Sequence, residues 1–399
     1  MTGARLETAP SARPPLETKA RLPLALVFLG AIVVGFGLYA APERTWLNLL
    51  VNGFYLLSLA LSAMFFLSSQ LIAGARWSAP LRRVPEAFMS LLPLAAVLML
   101  ALFCGRHWLY PWSLEGAFDD EPELAGHASY LRSPFVLARL AVALALWAAF
   151  AWSFRKTSLA QDADPRGSLV HHRRLLRYAA AFLLVFAPSF TVAAYDWVLS
   201  LEARWFSTMF AVYAFAGMFV QGIAAVTLVV VALRERGLLG ELVDTSKLHD
   251  LGKLLFAFST FWAYIWLCQY LLIWYGNVPE EVTYYVTRTN GTWLVLFALD
   301  LVVNWLVPFV VLMSSRAKQS PRALQAVAVV LLVGHWLDLY VMIVPSKRSA
   351  PEIGVLELMV PVACASLAYL VVLRGLTQAP LVPINDPILA DDRLHGAHA

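Results

Sequence analysis

His335 and Asp338 stand three residues apart inside a long apolar run, so on a helix they share one face. An imidazole exchanges protons near neutral pH, and a carboxylate taken out of water can be brought toward that range. A second acidic position, Asp196, closes another apolar run at Tyr195-Asp196-Trp197. Arg139, Asp300 and Glu357 complete the ionisable residues within apolar runs. Such residues are costly in hydrocarbon and mark ion pathways, proton relays or ligand partners. Polar neighbours accompany them at helical spacing. Asp300 and Asn304 are four apart, and Tyr213, Gly217 and Gln221 form a stripe at steps of four. Ser259, Gln269 and Tyr270 add further polar groups. Each also has a plain structural use: Arg139 can neutralise one aspartate, and Tyr213 and Gln221 can join helices.

This set fits two kinds of chemistry. Quinol oxidation releases two protons as two electrons leave, and it needs a hydrogen-bonding residue at each ring oxygen. A proton pathway needs the same residue types. His249, Asp250 and Lys253, in "HDLGK", offer a proton entry on the opposite side, or merely a helix start. No C-x-x-C occurs, and Cys104, Cys268 and Cys364 sit singly in apolar runs, so no iron–sulfur or haem c site is expected on this chain. A transmembrane haem b is not expected either, because His335 alone is well placed as an axial ligand. Nucleic acid is not an expected partner.

The elements that position these residues must be membrane helices. The chain has 399 residues, 60% hydrophobic and 14% charged. A soluble domain carries about 25% charge. Several apolar runs reach the roughly 20 residues that cross a bilayer, and lipid requires a helix to satisfy its own backbone. The expectation is an all-α polytopic membrane protein with ten helices, near 22–41, 46–73, 88–110, 133–154, 176–199, 206–233, 251–275, 291–315, 321–344 and 354–374. Residues 1–21 read as a disordered tail, 22–374 as the membrane domain and 375–399 as a polar C-terminal tail.

Of the 30 Lys and Arg, twenty-two fall on the side that holds both termini. The positive-inside rule then makes both termini cytoplasmic. The ionisable residues within the runs all fall in the outer half, and the segment 114–124, "LEGAFDDEPEL", makes an acidic outer loop. The fifth and ninth helices both place an aspartate beside a tryptophan near their outer ends. That rhyme fits two four-helix units, helices 2–5 and 6–9, flanked by helices 1 and 10.

Four stretches carry a family resemblance: "SFTVAAYDWVLSLEARWFSTMFAVYAFAG" (189–217), "LHDLGKLLFAFSTFWAYIWLCQYLLIWYGNVPEE" (248–281), "NWLVPF" (304–309) and "GHWLDLYVMIVP" (334–345). They resemble the NrfD/PsrC-like (polysulfide reductase) membrane subunits. More narrowly, they resemble the second such subunit of alternative complex III, the bacterial quinol:cytochrome c oxidoreductase. The resemblance implies two four-helix bundles with two outer helices, in the inner membrane. It implies as partners, besides membrane lipid, a paralogous ten-helix subunit, a periplasmic iron–sulfur subunit, haem c subunits and a terminal oxidase. It also implies a quinone site near the periplasmic face, with electrons leaving through the iron–sulfur partner. Asp196, His335 and Asp338 match motif positions, whereas Asp300 and Arg139 come from depth alone. The competing readings are a quinol site, a proton-conducting or scaffolding subunit without its own quinone, and, more remotely, a secondary transporter.

Overall fold

An apolar run of about 20 residues becomes a helix roughly 30 Å long, and among the described residues ten helices are long and apolar enough to cross a membrane. The computed structural model describes residues 20–120, 126, 128–239 and 242–389. Its spans are α1 (Arg21–Ala40), α2 (Pro42–Ile72), α3 (Arg83–Leu109), α4 (Ser133–Ala163), α5 (Ser168–Trp197), α6 (Phe210–Glu235), α7 (Thr245–Gly276), α8 (Trp293–Leu312), α9 (Pro321–Ser346) and α10 (Val355–Thr377). The chain is a polytopic membrane protein. With ten crossings the ends of the described chain lie on one face, here called the terminal face; the opposite face is the distal face. The expected tail 1–21 lies mostly outside the described residues, and the acidic segment 114–124 is described only as far as residue 120.

Helices α2 to α5 close one ring of pairwise contacts, and α6 to α9 close a second. The rings join chiefly where α2 meets α6, with α9 and α5 assisting. The approach is close because Gly222 of α6 faces Ser62 of α2, and a methyl group at 222 would overlap the Ser62 hydroxyl. Small residues at crossings are what helix association in lipid requires. Helices α1 and α10 pair with each other and lean on the first bundle through α2 and the start of α3. Gly30 and Gly37 are the buried residues of α1. The rest of that helix presents side chains such as Phe28 and Phe36 outward, as a lipid-facing helix does.

Several spans run longer than their apolar runs. Helix α4 continues to Ala163, α5 starts at Ser168 and α7 starts at Thr245. The apolar run marks what crosses hydrocarbon; the helix persists beyond it through charged turns. Asp244 caps α7 by accepting from the Lys247 amide, and Asn277, left-handed at φ 47°, ends it. The turn leads into an amphipathic helix, Pro279–Thr289, lying at the distal end of the second bundle.

A second set of buried charges, at the terminal end of the first bundle, corrects the expectation that such groups are confined to the outer half. Arg82, Arg83 and Glu86 are at most 3% exposed. Glu86 meets Arg83 at 2.6 Å, Arg155 at 3.0 Å and Arg82 at 3.3 Å. Arg83 also pairs with Asp162, and Arg82 with Asp386 at 2.5 Å. Three guanidinium groups thus meet three carboxylates. Asp386 comes from the C-terminal segment, where Leu381, Val382 and Leu389 are buried as well. The Ile384 amide donates to Asp162 Oδ1 at 3.1 Å. The described part of that tail is therefore a packed strap.

Removing one partner of a buried ion pair leaves the other uncompensated, at a cost of about 3–5 kcal/mol. Asp386→Ala is expected to lower the unfolding free energy of the detergent-solubilised protein by about that amount. Asp164→Ala, at a side chain 51% exposed, is expected to change it by less than about 1 kcal/mol. Equal effects in thermal melts would contradict the strap.

Candidate functional site

The second bundle holds a group of ionisable side chains far from solvent. Asp338, on α9, is 2% exposed and His335, one turn earlier, is 1% exposed. Tyr213 of α6 donates its hydroxyl to Asp338 Oδ1. Trp262 of α7 donates its indole N–H to Oδ2 at 3.2 Å. His335 Nδ1 lies 3.6 Å from the same Oδ2, beyond a direct hydrogen bond. Its ring stands edge-on to Trp262, centroids 5.6 Å apart. Three helices therefore converge on one carboxylate. Gly217 makes room for it: a methyl group there would come to 3.0 Å from Oδ2.

Helix α8 supplies a second carboxylate. Asp300 is fully buried, within electrostatic reach of Asp338. Asn304 donates to Asp300 Oδ1 at 2.7 Å. Between and beyond them, Val302–Leu306 is wound as a π-helix, a local widening frequent at functional sites. The widened turn sits against Gly334, where a methyl group would overlap Asn304 Oδ1. Asp300 Oδ2, Asn304 Oδ1 and both His335 ring nitrogens have no protein hydrogen-bond partner. Among the described residues, no lysine or arginine forms an ion pair with Asp300 or Asp338. Beside them lies a cavity of about 10 Å³, walled by Ser58, Gly217, Gln221, His335, Asp338 and Met342. A polar space of roughly 10–15 Å³ holds one water, and a water there could bridge the imidazole and the carboxylate.

The first bundle handles its acidic residue differently. Asp196, 1% exposed, takes both forks of Arg139: Nε to Oδ2 at 3.0 Å and Nη2 to Oδ1 at 2.9 Å. Arg139 also donates to the Tyr130 carbonyl at 3.0 Å and lies 3.8 Å from the Tyr130 ring centroid. Burial, then the Asp196 charge, push the Tyr130 phenol up to about 12, so it stays protonated and able to donate to that carboxylate. An open cleft of about 220 Å³ runs past Asp196, lined mainly by Tyr130, Tyr195, Leu199, Ala203, Trp205 and Phe206.

The sequence groups Asp196 with His335 and Asp338; the structure divides them. One belongs to α5 with α4, the others to α9 with α6 and α7. The rhyme of helices five and nine reflects corresponding places in two bundles, not one site. Arg139 and Asp300 each lie about two turns from the first residue of their helices, α4 and α8. The first bundle thus holds a closed ion pair, and the second holds two carboxylates and an imidazole.

The supporting residues divide as well. Tyr213, Asp300 and Asn304 join the Asp338 group, and Gln221 walls its cavity while donating to the Tyr55 carbonyl at 3.0 Å. Gln269 instead reaches Ser207, at 3.4 Å, beside the Asp196 cleft. His249, Asp250 and Lys253 sit at the terminal end of α7. His249 lies 3.3 Å from the Ser315 hydroxyl, and Lys253 pairs with Asp250 at 2.6 Å. From His249 to Trp262 is about 20 Å of helix, and the buried Leu251 and Leu255 lie between. Ser259, also buried between them, donates to the Phe256 carbonyl of its own helix, and among the described residues no hydrogen-bonded chain joins the two.

The sequence reading misses Trp262, the π-helical turn and Arg288. The last, 1% exposed, ties the distal end of the second bundle. It donates to the Val341 carbonyl at 3.0 Å, the Met342 carbonyl at 2.7 Å and Glu202 at 2.7 Å. Burial and the Arg288 cation act oppositely on the Tyr284 phenol beneath it; burial prevails and pushes it up. The Tyr284 ring stacks on Trp205 at 4.0 Å. Arg288 is readable as an outer-loop charge, and nothing in its spacing separates it from a solvated one.

The fold and this arrangement define a ten-helix membrane protein with a buried carboxylate–imidazole centre in its second bundle. Comparison with known proteins finds no matching family model and no matching curated protein.

Arg139→Leu is expected to destabilise the protein by about 3–5 kcal/mol, because Asp196 is left buried and unpaired. Arg139→Leu combined with Asp196→Leu should recover part of that loss in thermal melts. A double variant no more stable than Arg139→Leu alone would show that the pair does not act as a unit.

Proposed function

We propose that this chain is a proton-handling membrane subunit of a quinol:cytochrome c oxidoreductase of the alternative complex III kind, with Asp338, His335, Asp300 and Tyr213 as the proton-exchanging centre. The observation that carries the reading is the burial of two carboxylates and an imidazole together without an arginine or lysine. A structural ion pair would look like Arg139–Asp196. Groups that must exchange a proton need instead a neighbour that can hold one and a water-sized space between. The motif resemblance supports the oxidoreductase setting, and the Lys and Arg bias supports a distal face that is periplasmic, in a bacterial inner membrane. Electrons would then leave through an iron–sulfur or haem c partner on that face.

The chemistry of the residues divides the work. Tyr213 and Trp262 orient the Asp338 carboxylate through one hydrogen bond to each oxygen. Asn304 does the same for Asp300. His335, with both ring nitrogens free of protein partners, takes a proton from, or passes one to, Asp338 across a bridging water. The apolar bundle excludes bulk water, so a proton enters or leaves only where polar groups lead.

A second reading has its own observation. The cavity beside Asp338, about 10 Å³, has no room for a quinone ring. The cleft beside Asp196, about 220 Å³ and open at the side, falls below the roughly 300–1,000 Å³ of whole-ligand pockets. It would take a headgroup and leave the isoprenoid tail in lipid. Tyr130, Tyr195, Ser207 and Thr208 would supply its hydrogen bonds; the quinol itself would supply two electrons and two protons.

The test is turnover of the complex that co-purifies with this chain, reconstituted in vesicles. Asp338→Asn is expected to keep quinol oxidation within about twofold while proton release per electron falls. Unchanged proton release would sink the proton-handling reading. Ala203→Trp, which fills the cleft, is the arm for the second reading: loss of quinol oxidation supports a headgroup there, and full activity removes it.

A further inference from the structure

We infer that Arg173, Arg174 and Arg177 of α5, with Lys156 of α4, form a binding site for an anionic phospholipid whose headgroup carries two phosphates, at the terminal-face edge of the first bundle. The site stands apart from the proton-handling reading. Helix α5 turns a buried ridge to the bundle: Leu175, Ala179, Phe182 and Phe186, at steps of three and four. Its opposite side is exposed and changes character along the helix. Leu184 is open and apolar; Arg177, Arg174 and Arg173 follow toward the terminal end, all exposed. Helix α4, packed against α5, changes the same way. Its exposed side runs from Leu146 and Trp152 to Lys156, whose ammonium lies 4.4 Å from the Trp152 ring centroid.

The two changes fall at one level. Lys156 lies seven residues before the end of α4, and Arg177 lies nine residues after the start of α5. Both stand at the ends of their apolar runs, where Trp152 marks the edge of hydrocarbon as interfacial tryptophans do. Arg173 and Arg174 lie about 5–6 Å further out, within a headgroup layer roughly 5–8 Å deep. Phosphates occupy that layer, and acyl chains would lie beside Leu184 and Leu146. Arg177 is three residues from Arg174 and four from Arg173, so all three guanidinium groups stand on one side of the helix. A guanidinium takes a phosphate through two parallel N–H bonds, and three such forks suit a headgroup with two phosphates.

The protein itself leaves these charges unanswered. Among the described residues, neither the three arginines nor Lys156 forms an ion pair. The nearby carboxylates are already engaged. Asp162 is taken by Arg83 and the Ile384 amide. Asp164 accepts from the Gly167 amide at 2.9 Å and lies 3.5 Å from His171. Elsewhere on this face Arg82, Arg83 and Arg155 meet Glu86, Lys247 meets Asp244, and Lys253 meets Asp250. A bias of positive charge toward one side of the membrane explains how many cations the face carries. It does not explain three on one exposed ridge, level with Lys156 and facing no carboxylate. Basic surfaces between spans at this level are where anionic headgroups bind.

Native mass spectrometry of the detergent-solubilised protein, titrated with defined lipids, tests the site. Cardiolipin, which carries two phosphates, is expected to bind at least about tenfold more tightly than phosphatidylcholine. Each cation at a membrane surface is worth about fivefold in affinity. Arg173→Gln, Arg174→Gln and Arg177→Gln combined should therefore weaken cardiolipin binding by about a hundredfold. These side chains are exposed and unpaired, so the combined variant keeps its fold. Arg166→Gln, also exposed, lies about 10 Å of chain beyond Arg173, about one Debye length, and should change binding by less than about twofold. Unchanged cardiolipin affinity in the combined variant would overturn the site, as would an equal loss in Arg166→Gln. Phosphatidylglycerol, with one phosphate, binding as tightly as cardiolipin would overturn the two-phosphate headgroup. Inorganic phosphate displacing cardiolipin at equal concentration would make this a site for free anions, not lipid. Loss of an acidic partner subunit from the combined variant, with cardiolipin affinity intact, would assign the ridge to that partner instead.

Discussion

A carboxylate buried in an apolar bundle must be matched by something, and the choice of match organises this protein. In the first bundle the match is a guanidinium: Arg139 forks Asp196 and the pair is closed. In the second bundle, among the described residues, no lysine or arginine pairs with Asp338, which is held by a phenol, an indole and a nearby imidazole. The consequences spread outward. Three helices must converge on one side chain, Gly217 must lack a methyl group, and α8 must widen its turn against Gly334 to present Asp300 and Asn304. A fixed ion pair would have needed none of these.

The rest of the architecture isolates that centre. At the distal end, Arg288 binds the last carbonyls of α9 and stacks on Tyr284, closing the bundle under the Pro279–Thr289 helix. Toward the terminal face, leucines fill the bundle and phenylalanines close the seam. At the far end of the first bundle, three arginines and three carboxylates, one from the C-terminal strap, balance their charges in place. That network lies away from the Asp338 centre and stabilises the bundle against which α10 leans. Helix α10 then brings Glu357 to α2, where Arg44 forks it and Asn48 donates to it.

Much of this was legible in the sequence, for identifiable reasons. The ten spans follow from apolar runs, because hydrocarbon thickness sets their length. The pairing of helices 2–5 and 6–9 was suggested by Asp196 and Asp338, each beside a tryptophan near a helix end. Spacing puts Asn304 on the face of α8 that carries Asp300, and Tyr213 and Gln221 on the face of α6 that carries Gly217, which meets Asp338 and the cavity. What spacing cannot give is which helix faces which. Hence Asp196 is grouped with His335, although a bundle boundary separates them, and spacing does not show that Gln269 reaches Ser207. Arg82, Arg83 and Glu86 resembled loop charges because they precede an apolar run. The hint was their i,i+3 and i,i+4 spacing; the strap residue Asp386, some 300 positions away, had no local signal.

The central claim is that Asp338 changes its protonation during turnover. Infrared difference spectroscopy of the reconstituted complex, triggered from the reduced to the oxidised state, reads this directly in the carboxyl carbonyl-stretch region. The account predicts a band that appears in one state, shifts in heavy water and is lost in Asp338→Asn while the amide bands keep their pattern. An identical carboxyl difference spectrum in the wild-type protein and Asp338→Asn would contradict it.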